Sequence, residues 1–365
     1  MKASVIFSTY NSEEWLEKVI WGYSVQTTKD FEIIIADDGS KEATKNLIEK
    51  YQKLVDFPII HVWQEDNGFQ KCKILNKAIL KTNSDYLLFT DGDCIPRKDF
   101  VAQHLKHQEE GYFLSGGYFK LPMETSQKIS LENIKNQDCF SISWLIKNGV
   151  SKTFKLSKLT KISLFASFMN WLTPTKRTFN GHNTSCFKKD LIAVNGFNEE
   201  MQYGGLDREV GERLFNFGIL SKQIRYSAVC LHLDHARAYF NQEEWNKNLA
   251  LRAYNIKNNI TWISTGIIKD ENLKKELTEG NELSSFIINN QFTIIEKRII
   301  NTRLNLVAVG SIISHNESIL SSDEEEKLNE IDKNFTLYLN KALLKVINKE
   351  DNNLNIFERI RKIIK

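Results

Sequence analysis

Apolar positions along the first hundred residues alternate between two spacings. Ala3 to Ser8 is an apolar run of strand length, and Ser12 to Tyr23 then carries Trp15, Leu16, Val19, Ile20 and Tyr23 at helical spacing. The pair repeats. Phe31 to Ala36 predicts a second buried strand; after Asp37-Asp38-Gly39-Ser40, the positions Thr44, Leu47, Ile48 and Tyr51 predict a helix capped by Ser40. Ile59 to Trp63 predicts a third strand and Gln70 to Lys81 a third helix. The run Tyr86-Leu87-Leu88-Phe89 predicts a fourth strand, ending in Asp91-Gly92-Asp93. Such a series predicts an α/β fold: a mostly parallel sheet flanked by helices on both faces.

The polar residues follow the strands. Ser8-Thr9-Tyr10, Asp37-Asp38, Gln64-Glu65-Asp66 and Asp91-Gly92-Asp93 each close one, and in a parallel sheet those ends share the edge where open α/β proteins bind ligands. Ordinary polar loops account for any single cluster; four converging ends predict a nucleotide-type cleft. Asp91 and Asp93, two apart, can face one divalent cation, and Gly92 lets the backbone come close to it, although turns and helix caps use the same residues. No Gly-x-Gly-x-x-Gly follows the first strand and no Gly-Lys-Ser/Thr loop occurs, which argues against a dinucleotide fold or a P-loop enzyme.

The middle of the chain changes character. Between Cys139 and Lys189 there is no acidic residue, while Lys147, Lys152, Lys155, Lys158, Lys161, Lys176 and Arg177 alternate with Trp144, Phe154, Phe165, Phe168 and Trp171. This basic amphipathic insertion, at about 140–177, either lies on an anionic membrane surface or packs its apolar face inward with its lysines solvated. Thr178 to Phe187 reads as a strand. Tyr203-Gly204-Gly205-Leu206-Asp207 opens a helix whose first turn holds Asp207 and Glu209, where carboxylates commonly serve the helix dipole. A strand from Ile224 to Leu231 leads into His232-Leu233-Asp234-His235. The expected domains are 1–265 for the α/β unit and 266–365 for a charged helical region, which includes the acidic run Asp323–Glu326 and is the candidate for pairing subunits in a homo-oligomer.

Composition narrows the class. At 365 residues and 41% hydrophobic content the chain exceeds a single small domain, and a net charge of +3 without a repeated aromatic platform does not suit nucleic acid. The five cysteines form no Cys-x-x-Cys pair, which suits a reducing compartment and excludes a structural zinc site. Apolar stretches fall short of the ~20 residues that span a bilayer, and the first strand begins without a signal peptide. A cytoplasmic protein is expected, attached peripherally to the inner face of the membrane if the basic stretch is the lipid-facing one of its two readings.

In this order the motifs Val5-Ile6-Phe7-Ser8-Thr9-Tyr10-Asn11, Ile35-Ala36-Asp37-Asp38-Gly39-Ser40, Gln64-Glu65-Asp66-Asn67-Gly68-Phe69, Asp91-Gly92-Asp93, Asn195-Gly196-Phe197 and Gly204-Gly205-Leu206-Asp207 resemble an inverting family 2 glycosyltransferase. The family has the Rossmann-like nucleotide-diphospho-sugar transferase fold called GT-A, and the closest branch is the one with chondroitin-polymerase-like and galactosyltransferase-like enzymes. The resemblance covers Ala3 to His235. It implies that Ser8, Thr9, Tyr10, Gln64, Gly68, Asn76, Gly92, Asn183 and Gly205 line the site of a UDP-sugar donor, that Asp38 accepts from the uracil ring, and that Asp91 meets the ribose. It further implies that Asp93 ligates Mn²⁺ or Mg²⁺, with His232 completing the sphere and His235 as rival. Asp207 is implied as the general base, drawing the proton from a hydroxyl of a glycan or glycolipid acceptor in bacterial-type surface polysaccharide or lipopolysaccharide synthesis. Leu206 stands where relatives often carry Glu, which bears on the acceptor. Two rivals are a haloacid-dehalogenase-type phosphatase using Asp91 and Asp93, and a non-catalytic sugar-binding partner subunit. The first usually carries its motif on the first strand, and the presence of both Asp93 and Asp207 counts against the second.

Overall fold

A computed structural model describes residues 1–173, 178–235 and 241–267, which lie in a compact unit running Met1–Ile267. Its first half is four parallel strands, β1 (Ala3–Thr9), β2 (Phe31–Asp37), β3 (Ile59–Trp63) and β4 (Tyr86–Asp91), linked by the helices α1 (Glu13–Ser24), α2 (Glu42–Leu54) and α3 (Lys71–Leu80). The continuous apolar runs follow from burial on both faces. Val5, Phe7, Ile33, Ile35 and Leu88 pack on one side with Leu16, Val19, Ile20 and Tyr23 of α1 and Ile48 of α2. Ile6, Ile34, Leu87 and Phe89 pack on the other with Ile74, Leu75, Ala78 and Ile79 of α3. Alternate side chains point to opposite faces, so each strand serves both cores.

Three further strands extend the sheet: β6 (Tyr112–Ser115), β8 (Thr184–Phe187) and β9 (Leu220–Gln223), giving the order β3-β2-β1-β4-β8-β6-β9. β8 runs antiparallel to both β4 and β6, whereas β9 is parallel to β6. A second sheet joins β5 (Cys94–Pro96), β10 (Val229–His232) and β7 (Gly117–Lys120), with β10 in the middle. The architecture is mixed α/β, a mostly parallel central sheet flanked by helices.

Several local expectations change. Ser40 does not cap α2: Lys41 precedes the helix, and the Ser40 hydroxyl accepts the Asn11 backbone N–H at 2.9 Å. Of the strand expected over Ile224–Leu231 only Val229–Leu231 is strand, within β10; β9 ends before it, at Gln223, and 225–227 form a turn. The chain leaves the main sheet there to enter the second one. Of Thr178–Phe187 only Thr184–Phe187 is strand, because the Asn183 N–H bonds back to Asn180 O at 3.0 Å and turns the preceding segment. Lys176, Arg177 and everything from residue 268 on, including Asp323–Glu326 and nearly all of the expected helical region, lie outside the described residues.

Candidate active site

The carboxylates foreseen at the strand ends meet a cation that was not. Lys71, the first residue of α3, places Nζ 2.7 Å from Asp91 Oδ1, and its charge is felt by Asp207 and Asp93 as well. Burial works against the Lys71 ammonium, but these three carboxylates outweigh it and hold its pKa above the ordinary lysine value. Burial likewise pushes the Asp91 carboxyl up; the Lys71 charge and hydrogen bond win and hold it below the usual carboxylate range. Asp207 goes the other way. Burial raises it, Asp91 adds to the rise, and Lys71 with the Gly181 N–H only partly offsets it. A lysine at a helix start opposes the helix dipole, and α3 has no acidic residue in its first turn. That local misfit was the signal in the sequence.

Asp207 is delivered by close backbone packing. It sits in the first turn of the Leu206–Asn216 helix, after Gly204 and Gly205, whose φ values are +92° and +79°. A Cβ at Gly204 would stand 2.3 Å from the Trp245 ring, and Asn248 Nδ2 reaches the carbonyls of Gln202, Tyr203 and Gly204 at 3.0, 3.0 and 2.9 Å. The Gln242–Lys257 helix therefore clamps the loop that presents Asp207. On the other side, a Cβ at Gly181 would lie 2.6 Å from both Asp207 carboxylate oxygens, so the chain passes the carboxylate only as glycine.

The second sheet builds the candidate cation site. β10 pairs His232 opposite Cys94, the residue after Asp93, and the Leu233 N–H donates to Asp93 O at 2.9 Å. Asp93, Cys94 and His232 each offer a ligand atom within 4.8 Å of the others. His232 Nδ1 lies 2.8 Å from the Leu233 carbonyl, an acceptor that fixes the proton on Nδ1 and leaves the Nε2 lone pair, 3.9 Å from Asp93 Oδ2, free for a metal. His235 Nε2 is nearer, 3.0 Å from the same oxygen. Burial keeps the Cys94 thiol well above its ordinary pKa, with Cys230 and the neighbouring carboxylates adding to the rise, so it lines the site as a protonated thiol. A carboxylate and an imidazole with an unprotonated nitrogen fit a divalent cation. His182, whose pKa burial depresses to about 4, packs its ring 4.3 Å from that of Tyr118 beside this group.

Other expected donor contacts find different roles. Asp38 accepts from Gln64 Nε2 at 2.6 Å and from the Gln70 N–H at 2.8 Å, and burial raises its pKa against those bonds. Gln64 is thus the partner of Asp38, with its own buried Oε1 unsatisfied, as is the buried Thr9 Oγ1. Ser8 is half-buried beside Asp91 in the β1/β4 register, and exposed Tyr10 donates to Asp66 Oδ2 at 2.8 Å. Gly68 has open space around it, and Gly205 forms the left-handed turn before Asp207. Gly92 allows close approach to the Ser8 carbonyl, 2.7 Å from where its Cβ would be. Two assignments are corrected. Asn183 is fully buried, bonding the carbonyls of Gly117 and Ala228 and His104 Nε2 at 2.7, 3.1 and 2.9 Å, so it braces the two sheets instead of touching substrate. Asn76 is also buried, exchanging bonds with the Phe197 backbone at 2.8 Å each way.

Comparison with known proteins agrees with this layout. Residues 4–174 match the family described as Glycosyl transferase family 2. The uncharacterized glycosyltransferase YfnE of Bacillus subtilis is 29% identical over 281 residues, 68% of this chain and 69% of that one. Chondroitin synthase of Escherichia coli is 28% identical over 232 residues, 60% of this chain and 33% of the synthase. For the Pasteurella multocida chondroitin synthase the figures are 28% over 238 residues, 60% and 24%, so the chain spans a third or less of these synthases. Among solved structures, Staphylococcus aureus TarS 1–349 in complex with UDP-GlcNAc shares 16% identity at a TM-score of 0.48, over 95% of this chain and 84% of that one, a loose likeness of outline only. Residues 4–174 thus resemble glycosyl transferase family 2, and over about two thirds of its length the chain is similar to curated glycosyltransferases, chondroitin synthases among them.

Proposed function

We propose that the enzyme moves a sugar from a UDP-sugar to a hydroxyl of a glycan or glycolipid acceptor by a single inverting displacement, in surface polysaccharide or lipopolysaccharide synthesis. The observation that carries this reading is the convergence of Asp91, Asp93, Asp207 and Lys71 at the C-terminal edge of the sheet, beside His232. The sheet order and the second sheet support a GT-A arrangement. Asp207 is the general base: a carboxyl with a raised pKa, once ionised, is a stronger acceptor for the hydroxyl proton. Asp93 and His232 would hold Mn²⁺ or Mg²⁺, the mixed oxygen and imidazole set favouring manganese. When bound, the cation supplies charge neutralisation for the departing diphosphate.

The position of the motif on β4 rather than the first strand speaks against a phosphatase that would attack through Asp91. No helix among the described residues is long and apolar enough to cross a membrane. A cytoplasmic location with peripheral attachment fits a lipid-borne acceptor. The test is a panel of UDP-sugars assayed for binding and for Mn²⁺-dependent transfer or hydrolysis, with Asp207→Asn alongside. Asp207→Asn should abolish transfer and keep UDP binding; transfer that survives the substitution, or no response to any UDP-sugar, overturns the reading.

A further inference from the structure

The Ser163–Leu172 helix carries its residues in an inverted order. Its inward side is narrow: Ala166 and Met169 pack on Tyr226, and Asn170 bonds the Ser227 hydroxyl at 2.9 Å and the Tyr226 N–H at 2.8 Å. Its outward side is apolar, with Leu164 85%, Trp171 80%, Phe168 52% and Leu172 50% exposed. Phe154 and Ile162, 74% and 66% exposed, lie in the segment that leads into it. The same segment carries the exposed Lys152, Lys155 and Lys161, and no carboxylate occurs anywhere between Cys139 and Lys189. A helix that turns its aromatic residues outward within a basic rim has the composition of an interfacial helix.

We infer that this face, Phe154, Ile162, Leu164, Phe168 and Trp171 with Lys152, Lys155 and Lys161, docks the enzyme on an anionic lipid bilayer. The occupant follows from charge. A twofold pairing of two copies lays the same patch against itself, which here brings lysines onto lysines with no acid to answer them. An anionic leaflet supplies the missing charge over the whole rim, and aromatic side chains settle at the headgroup level. The same segment also borders the cleft. Lys158 donates to the Tyr118 carbonyl at 3.2 Å and lies 5.4 Å over its ring, and that ring touches His182 and stands 6.0 Å from His232. If the acceptor is lipid-borne, as the proposed function has it, docking here brings its headgroup to the rim of the site; the docking itself does not depend on the transfer chemistry.

Flotation of the full-length chain with vesicles tests this. Vesicles of phosphatidylglycerol and phosphatidylcholine should carry the protein up and vesicles of phosphatidylcholine alone should not, and the binding should weaken as salt rises from ~0.1 to ~0.5 M. Leu164→Ser/Phe168→Ser/Trp171→Ser should abolish flotation. Lys152→Glu/Lys155→Glu/Lys161→Glu, confined to exposed side chains and so safe for folding, should lower the partition constant at least about fivefold per lysine. Both variants should keep donor hydrolysis in solution, which separates failure of docking from failure of the enzyme reading. Absence of binding to anionic vesicles, or binding that the lysine variant leaves unchanged, overturns the inference. So does a dimer, seen by sedimentation equilibrium, that only the apolar variant dissociates while vesicles bind nothing.

Discussion

Replacing Lys71 by Gln removes the positive charge on which three carboxylates depend, and its effect should be readable in the pH dependence of the reaction. The Lys71–Asp91 pair is 2.7 Å long, with the two side chains 21% and 24% exposed. Two unit charges 4 Å apart at an effective dielectric of 20 interact by about 4 kcal/mol; partial exposure reduces the pair to roughly 1–2 kcal/mol. Asp207 feels the same lysine after Asp91, so its share is about 1 kcal/mol, a little under one pH unit. The sign follows from the roles. Asp207 must be ionised to act as base, its pKa is already raised, and Lys71 is the main influence holding it down. Without Lys71 that pKa climbs further, so the acid limb of kcat/KM should move up by a little under one unit. Rates on the acid side should then fall about fivefold, with any loss above the limb reflecting donor contacts alone. Initial rates of transfer between pH 5 and 9, for wild type, Lys71→Gln and Lys71→Arg, measure it, and Arg should restore the limb. A limb that stays put or moves down in Lys71→Gln would refute the electrostatic account.

Removing metal should matter in a residue-specific way: chelation should silence the enzyme, and Mn²⁺ should restore it better than Mg²⁺. His232→Ala should weaken Mn²⁺ binding about tenfold or more, read from the paramagnetic resonance of free Mn²⁺, and His235→Ala should do less; the reverse order makes His235 the ligand. Asn183→Ala takes a donor from the buried Gly117 and Ala228 carbonyls, the latter keeping the Gly117 N–H, and leaves His104 Nε2 without its partner, so unfolding in urea should show a loss of about 1–3 kcal/mol with the donor KM unchanged. A raised KM at unchanged stability would return Asn183 to the substrate.

The first four strands were legible because burial on both faces writes them as unbroken apolar runs, and the helices between them because one face must match. Their polar ends located the site for the same reason. What could not be read were roles set by partners distant in sequence. Asn183 and Asn76 look like binding residues in a string of polar letters, yet their neighbours across the fold are backbone groups that needed satisfying. Lys71 shows in the sequence only as a lysine at the wrong end of a helix, and its partner is known once β4 brings Asp91 beside it. The strand expected at Ile224–Leu231 failed for a related cause, since hydrophobicity marks burial and is silent on which of two sheets a residue joins. The basic stretch left two readings open, and only the outward turn of Phe168 and Trp171 distinguishes them.

The pairing of β10 with β5 and β7 also orders events during synthesis. Asp93 leaves the ribosome early with its strand, whereas His232 arrives more than a hundred residues later and finds Cys94 only by closing a long loop. Contacts between such distant segments form late in folding. If Asp93 and His232 hold the proposed cation, a nascent chain lacking β10 has its first carboxylates without the imidazole and should not retain the ion. Metal retention would then be acquired only when β10 slides between its two neighbours.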